Sequence, residues 1–229
     1  MGRVITAAAA ALLLLVCFPH ALRARGGEAI PLPEPAFRNG GTFFETLRAR
    51  RSDRDFRVDP LPRQILADLL WSAVGVNRPE SGKRTSPTAM DRREIDVYAS
   101  LAEGLFLYDP EAHALIPILE EDIRDLTGRQ PFTGDAPLNL IFVADDEKMG
   151  GMGEEDRIFY AAADAGFASQ NVYLACADLG LVTVVRAWID REALAERMGL
   201  PPHRRIVLAQ TVGYPAEPDP PEAETGEEE

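Results

Sequence analysis

A long apolar helix constrains the fold of this chain more than any other feature. Residues Ile158 to Leu179 are predicted to form one helix that is apolar nearly all round, which implies burial on most of its sides. The preceding run from Leu138 to Ala144 is strongly apolar and typical of a buried strand. Hydrophobic residues make up 46% of the 229 residues, enough for one sizeable core. We therefore expect one large domain built around this helix.

The order of the remaining elements predicts the fold class. Further helices are expected over Thr42–Arg50, from Leu61-Pro62 onward, over Glu120–Thr127 and over Arg191–Met198. Further strands are expected over Glu94–Ser100, Gly104–Tyr108, Ala114–Leu119 and Arg205–Val212, with a loop at residues 75–87. Strands in a meander mixed with helices, without regular βαβ alternation, indicate an α+β domain rather than a doubly wound sheet.

The N-terminus has the pattern of a secretory signal peptide. Met1-Gly2-Arg3 precedes an uncharged run from Val4 to Phe18 that is rich in Ala and Leu, and small residues follow at Ala21 and Ala24. This run is shorter than the about 20 residues of a membrane span, so an uncleaved anchor is the second alternative. Residues 1–24 are predicted to direct export, to the periplasm, and residues 25–215 to form the domain.

Charge and cysteine content restrict the partners. Residues 216–229 carry seven acids and are predicted to be a disordered tail. The formal net charge of -13 argues against nucleic acid or an anionic membrane surface as a partner. Removing the signal would leave Cys176 as the one cysteine, and the three histidines lack ligand spacing. Neither a disulfide nor a metal site is therefore predicted.

The segment Arg50-Arg51-Ser52-Asp53-Arg54 is the strongest candidate for a binding site. It places three guanidiniums and one hydroxyl within five residues at a predicted helix-to-coil junction. Guanidiniums match phosphate oxygens in a bidentate manner, and a compact cluster suits a single phosphomonoester better than a polymer. The alternative is a solvated helix end, where Arg50 and Arg51 are favourable near the negative end of the helix dipole.

Three ordered segments and a closing tripeptide resemble the nitroreductase family of FMN-dependent oxidoreductases. They are residues 50–56 (RRSDRDF), residues 84–89 (RTSPTA), residues 164–181 (DAGFASQNVYLACADLGL) and Gly213-Tyr214-Pro215. The chain is most similar to the subgroup of dehydrogenases that make thiazoles and oxazoles from peptide azolines. The likeness runs over about residues 31–215, nearly the whole predicted mature chain.

The resemblance implies a fold and an assembly. The expected fold is α+β, with a central, mostly antiparallel sheet flanked by helices and a long buried central helix. The family forms an intertwined homodimer with FMN at the subunit interface. Because the flavin itself carries out the redox chemistry, the resemblance names no catalytic side chain.

The resemblance also implies roles for individual residues. Arg50, Arg51 and Ser52 would bind the FMN phosphate. Arg54 would approach the N1 and O2 edge of the flavin, where a cation stabilises developing negative charge. The isoalloxazine would be lined by Pro87, Thr88 and Ala89. The strand after Gly180-Leu181 would offer a backbone N–H to flavin N5 near Val185 and Arg186.

This chain departs from the family pattern at three places. Met90-Asp91-Arg92-Arg93 replaces the continuation Gly-Ala-Leu-Tyr-Pro, and Arg186 stands where the subgroup usually has glycine. The chain ends in acids where other members place a second basic pair, which leaves Arg84 as a possible helper at the phosphate. Arg92, Arg93 and Arg186 are alternative ligands for an anionic substrate.

The expected function is that of an FMN-dependent oxidoreductase. It would transfer hydride through the flavin to or from a small nitro, quinone or azoline-like substrate. An exported enzyme would need a reductant other than NAD(P)H, or would pass electrons from its substrate to oxygen or a quinone. One alternative is a non-catalytic flavin- or small-molecule-binding protein of the exported compartment. Another is a fold relative that has lost FMN and serves as an interaction module.

Overall fold

A computed structural model describes residues 28–35 and 42–216 of the protein. A seven-stranded sheet is the centre of this structure. The strands in chain order, including a separate hairpin, are β1 (Ile30–Pro31), β2 (Val76–Arg78), β3 (Lys83–Arg84), β4 (Ile95–Leu101), β5 (Gly104–Asp109), β6 (Ala114–Leu119), β7 (Leu138–Asp145), β8 (Val182–Arg186) and β9 (Arg204–Gly213). The order in the large sheet is β1-β6-β5-β4-β7-β9-β8, and every neighbouring pair is antiparallel. The predicted α+β class with an antiparallel sheet is confirmed.

The described residues contain four α-helices: α1 (Phe43–Ala49), α2 (Arg63–Val74), α3 (Glu154–Leu179) and α4 (Arg191–Met198). Helix α1 begins with a capping box in which the Thr42 hydroxyl accepts from the Glu45 N–H and the Glu45 carboxylate accepts from the Thr42 N–H. None of the helices in the described ranges is long and apolar enough to cross a membrane. The predicted signal peptide and all but Ala216 of the predicted tail lie outside the described residues.

Side chains alternate between two cores on opposite faces of the sheet. On β7, Leu140 and Phe142 pack with α2 and α3, whereas Ile141 and Val143 pack with α4. All eight residues of β7 are buried, as the sequence predicted for this strand. The strand is central because it pairs with β4 on one side and β9 on the other.

Helix α3 is the long central helix, and it begins at Glu154, earlier than the predicted Ile158. Three acids in its first turn favour that start because they face the positive end of the helix dipole. The helix ends at Gly180, which has the left-handed φ of 69° typical of a helix C-cap. Only eight of its 26 residues are buried. The expected burial on most sides is therefore not reached within one chain, and Phe159 and Phe167 remain exposed.

Two segments differ from the prediction. The helix expected over residues 120–127 is only a 3₁₀ turn over Arg124–Thr127, capped without a side-chain hydrogen bond. The loop expected over residues 75–87 contains the β2–β3 hairpin. Both are short elements whose hydrogen bonds depend on neighbours that sequence periodicity does not reveal.

Candidate functional site

The Arg50–Arg54 cluster and the residues that follow it lie against the free edge of β8, an edge strand of the sheet, and against the residues that follow β9. The Asp53 N–H donates to the Thr183 carbonyl at 3.0 Å, and the Arg57 N–H donates to the Tyr214 carbonyl at 3.1 Å. Phe56 forms a β-bridge with Pro215. The coil between α1 and α2 is thereby fixed to the sheet, so its side chains have defined positions.

A buried tyrosine joins this segment to the sheet. Tyr173 of α3 is 6% exposed, and its hydroxyl lies 2.8 Å from Ser52 Oγ. The Val185 N–H donates to the same phenol oxygen at 3.0 Å. Because the phenol oxygen already accepts from the Val185 N–H, the Tyr173 O–H can donate to Ser52 Oγ. The Ser52 O–H is then available to donate to a ligand. Tyr173 thus orients the hydroxyl of the cluster.

The three arginines present their charge on the outer side of this anchor. The Arg50 guanidinium lies over the Tyr173 ring, 5.4 Å from its centroid. Arg51 has a side chain that is 68% exposed, with Nε 3.3 Å from Asp53 Oδ2. Arg54 is exposed as well. The helix end is therefore not merely solvated, because Arg50 and Ser52 are held by the same aromatic side chain.

Asp53 keeps the segment in shape and is ionised. Its Oδ1 accepts from the N–H groups of Arg54 at 2.8 Å and Asp55 at 3.2 Å. Burial alone would raise the pKa of Asp53, but these backbone hydrogen bonds and the Arg51 guanidinium outweigh it and lower the pKa. The carboxylate therefore acts as a turn former rather than as a proton donor.

Two cavities meet at Arg51. The larger, of about 720 Å³, is lined by Arg54, Phe56, Phe132 and Pro215 in addition to Arg51. Three acids, Asp53, Asp55 and Asp135, also border it. The smaller, of about 200 Å³, lies between α3 and β8. The site thus combines cationic donors with aromatic and apolar walls.

The segment Pro87-Thr88-Ala89 lies elsewhere on the same chain. The Ala89 N–H donates to Asp164 Oδ2 of α3 at 2.8 Å. Asp164 and Tyr173 are nine residues apart on α3, which corresponds to about 14 Å along the axis and to opposite sides of the helix. The structure therefore brings Arg50, Arg51, Ser52, Arg54 and Val185 together, but not Pro87, Thr88 and Ala89 with them in one chain.

Strand alternation distinguishes the predicted backbone donors. Thr183 and Val185 hydrogen bond across the free edge of β8, so Val184 and Arg186 face β9. The Val185 N–H is used by Tyr173, and the next outward position is Ala187, which is exposed. The sequence resemblance predicted the donor to flavin N5 only approximately, near Val185 and Arg186, because the direction of each backbone N–H depends on how β8 pairs with β9.

The Arg186 side chain is in the interior and away from the cluster. Its guanidinium donates to Thr211 Oγ1 at 2.9 Å, to the Thr127 carbonyl at 2.9 Å and to Asn139 Oδ1 at 2.6 Å. It also lies over the Phe132 ring. Burial among these neutral acceptors lowers the pKa of Arg186 to about 10. As an interior side chain, it is not placed to bind a substrate anion.

Of the other predicted basic residues, Arg84 and Arg93 line a separate concavity, whereas the half-buried Arg92 does not. Arg78, Lys83, Arg84 and Arg93 surround about 300 Å³ beside Pro87 and Thr88. Arg93 is paired with Asp91, with Nη2 2.7 Å from Oδ2. Burial lowers the pKa of Arg84, whose Nη1 donates to the Ile95 carbonyl. Arg84 therefore does not assist the Arg50–Arg54 cluster within one chain.

One group of metal-type ligands occurs in the described ranges, although no metal was predicted. Side-chain atoms of Asp145, Glu147 and His203 lie within 4.8 Å of one another. Arg204 Nη2 lies 3.4 Å from Asp145 Oδ2, and His203 Nδ1 lies 3.5 Å from Glu147 Oε1. Because a guanidinium already balances the buried carboxylate, we assign no metal to this group.

Sequence reasoning missed Tyr173 and Asp164 as functional positions. Both lie in the segment that carries the family resemblance, where they were interpreted as part of a packing helix. The available signal was polarity: a tyrosine and an aspartate on buried faces of an otherwise apolar helix need partners.

Removing the Tyr173 hydroxyl should destabilise the edge of the sheet. For Tyr173→Phe we expect a loss of about 1–2 kcal/mol in the free energy of unfolding, because the Val185 N–H and Ser52 Oγ lose their partner. Urea denaturation measures this quantity. The control is Tyr160→Phe on the exposed side of α3, and equal losses in the two variants would contradict the anchoring role.

Comparison with known proteins identifies the family. The model described as the nitroreductase family matches residues 47–214. A Methanocaldococcus jannaschii protein named as a candidate nitroreductase is 32% identical over 159 residues, which are 65% of this chain and 80% of that protein. The crystal structure of a candidate nitroreductase from Ralstonia eutropha is 44% identical, with a TM-score of 0.79, over 83% of this chain and 90% of that one.

A more distant structure extends the likeness in fold. In the Escherichia coli microcin synthetase complex with a truncated precursor bound, a matching chain is 18% identical, with a TM-score of 0.64. The match covers 93% of this chain and 85% of that one, which shows a shared fold. Family model, relatives and fold thus confirm the resemblance inferred from the three sequence segments. The chain belongs to the nitroreductase family.

Proposed function

We propose that this protein binds FMN and uses it as an oxidoreductase. The observation that carries the proposal is the Arg50–Arg54 cluster, fixed at the free edge of β8 beside a cavity of about 720 Å³. Membership of the nitroreductase family supports oxidoreductase chemistry. The case for FMN as the cofactor depends on the hydrogen-bond donors and apolar side chains at this site.

The residues present fit the parts of FMN. A phosphomonoester dianion suits the guanidiniums of Arg50 and Arg51 and the Ser52 hydroxyl. The planar ring system suits the apolar wall of Phe56 and Phe132. The carboxylate of Asp53 is already paired with Arg51, so it limits repulsion of the phosphate.

Each residue then has a defined task. FMN, when bound, supplies the ring that accepts and donates hydride. Arg50 and Arg51 would hold the phosphate, and Ser52, oriented by Tyr173, would donate a hydrogen bond to it. Arg54 would place positive charge at the ring edge where negative charge develops. The exposed backbone at Ala187 is our candidate for the donor to flavin N5.

A homodimer would complete this site. Pro87, Thr88 and Ala89 lie on the opposite side of α3 from Tyr173, so a flavin held by one cluster would contact them only on a second subunit. Exposed apolar side chains on neighbouring helices α1 and α3 support such an interface, since a monomer rarely leaves so many uncovered. They are Phe43, Phe44, Leu47, Ile158, Phe159 and Phe167.

A charge on this surface should prevent dimerisation. For Phe159→Glu we expect a monomer in sedimentation velocity and an FMN affinity at least about tenfold weaker, because the second half of the site is lost. Val58→Glu, which changes an equally exposed apolar residue outside α1 and α3, should leave the dimer intact. A dimeric Phe159→Glu variant would refute this choice of interface.

We propose that the protein is exported and acts on a small organic substrate. The signal-like residues 1–24 support export to the periplasm, where the enzyme would need an electron source other than NAD(P)H. We propose a small nitro, quinone or azoline-like substrate, which family membership and the sequence resemblance support. The alternative is a flavin-binding protein without turnover, motivated by the replacement of Gly-Ala-Leu-Tyr-Pro by Met90–Arg93.

Turnover separates the enzyme from a binding protein. The FMN-loaded protein is reduced chemically under anaerobic conditions and mixed with a nitroaromatic, a quinone or, in its oxidised form, an azoline peptide. Return of flavin absorbance with the nitroaromatic or the quinone, or its loss with the azoline peptide, together with stoichiometric product, supports an oxidoreductase. Flavin that changes redox state with none of these compounds would leave the binding protein as the better account.

A further inference from the structure

Two carboxyl groups face each other in the core beneath the segment that follows Pro87. Glu94 precedes β4 and is 0% exposed, and Asp164 of α3 is 3% exposed. Neither Glu94 oxygen has a hydrogen-bond partner of good geometry among the described residues, and the neighbouring carboxyl group is that of Asp164. Two ionised carboxylates cannot donate to each other, so this contact becomes a hydrogen bond only when one of them carries a proton.

The surroundings favour that proton. Burial is the main cause that raises the pKa of Glu94 to about 7, and the hydrogen bond and charge of Asp164 act in the same direction. The dipole of the adjacent Glu94 backbone N–H and the charge of the Lys148 ammonium oppose this shift. Arg84 is a further cation that interacts with the charge of Glu94, and the Lys148 ammonium also donates to the Arg93 carbonyl and to Asp96.

The same pair holds a strained stretch of backbone. Asp164 Oδ2 accepts from the Ala89 N–H, which fixes the start of the stretch. Beyond it, Met90, Asp91 and Arg93 have φ values of 51°, 54° and 52°. This left-handed region is unfavourable for residues with a side chain, so the conformation persists only where surrounding contacts impose it.

We propose that Glu94 and Asp164 share one proton, and that this shared proton holds residues 87–93 in the conformation required of the flavin-lining segment. Glu94 and Asp164 are positioning residues: the Glu94 side chain acts on Asp164, whose carboxylate accepts the hydrogen bond from the Ala89 N–H. The part of the inference that concerns flavin rests on the proposed function. The part that concerns the segment itself stands without a cofactor.

The direction of the pH effect follows from the higher affinity of the folded chain for this proton. Between about pH 4.5 and about pH 7, the unfolded chain releases a proton that the folded chain retains, so the stability contributed by the pair falls as the pH rises. Above about pH 7 the folded pair loses the proton as well. Two adjacent buried negative charges then repel each other, and residues 87–93 should loosen.

Hydrogen exchange of the cofactor-free protein tests the shared proton directly. We expect the protection of amides 89–93, corrected for intrinsic exchange rates, to fall about tenfold between about pH 6 and about pH 8.5. In Glu94→Gln the amide donates to Asp164 at every pH, so this protection should not change. Asp164→Asn provides the same test if Glu94→Gln fails to fold. Asp178→Asn removes an exposed carboxylate from the same helix and should behave as the unsubstituted protein.

The outcomes separate the two parts of the proposal. Protection that is independent of pH, or that falls equally in Glu94→Gln, would overturn the shared proton. FMN affinity is then titrated at both pH values. A parallel loss of affinity in the unsubstituted protein, absent from Glu94→Gln, supports positioning of the flavin segment. A pH-dependent segment with constant FMN affinity in a flavin-binding protein would overturn that positioning role and leave the proposed function intact.

Discussion

Replacing Arg50 and Arg51 together by alanine should weaken FMN binding by about 10²- to 10⁴-fold. Each guanidinium is expected to make a charge-assisted hydrogen bond to the phosphate worth about 1.5–3 kcal/mol, and alanine offers no donor in its place. Quenching of FMN fluorescence by the cofactor-free protein measures the dissociation constant. The fold should survive, because both side chains lie at the outer side of the Tyr173 anchor.

Two comparisons make this result specific. Arg48→Ala removes an exposed guanidinium from the last turn of α1 and should leave FMN affinity unchanged. Riboflavin lacks the phosphate, so it should bind the double variant and the unsubstituted protein equally well. A double variant that prefers FMN over riboflavin as strongly as the unsubstituted protein does would show that the phosphate is bound elsewhere.

Arg186→Leu should cost about 2–4 kcal/mol in the free energy of unfolding. The substitution leaves the Thr127 carbonyl buried without this donor, which costs about 1–3 kcal/mol, and it removes one of the two donors to Asn139 Oδ1, which keeps the Thr211 hydroxyl. For a domain of this size the melting temperature should fall by about 5–10 °C, measured by calorimetry. Affinity for FMN in the folded fraction should change little, because the guanidinium lies in the interior.

An exposed arginine nearby provides the control. Arg129 pairs with Asp190 at 2.6 Å, but its side chain is 53% exposed, so Arg129→Leu should cost less than about 1 kcal/mol. If Arg186→Leu were as stable as this control but bound FMN or substrate poorly, Arg186 would be a ligand after all. That result would restore the role inferred from the sequence and contradict the burial described above.

The sequence predicted those features that depend on local pattern. The apolar run that became β7 and the long helix α3 were evident because their periodicity is strong and their neighbours do not alter it. The serine and arginines of the phosphate cluster were evident because charge and spacing are read directly from the chain. The start of α3 was misplaced because three acids at its N-terminus look like loop residues.

Features that depend on contacts across the fold were not predictable from the chain. Val185 and Arg186 are adjacent in sequence, but the backbone N–H of Val185 points to the free edge of β8, whereas the backbone of Arg186 faces β9. Glu94 looks like a surface residue until the fold places it against Asp164, some seventy positions away. Likewise, only the geometry of α3 reveals that Ala89 and Tyr173 lie on opposite sides of one helix.

The visible absorption spectrum of the purified protein, with the released cofactor identified after denaturation, tests the central claim most directly. The account predicts a flavin spectrum, release of FMN with its phosphate intact, and about one FMN per chain. A colourless protein that takes up no added FMN would contradict it, and the Arg50–Arg54 cluster would then require a different anionic ligand.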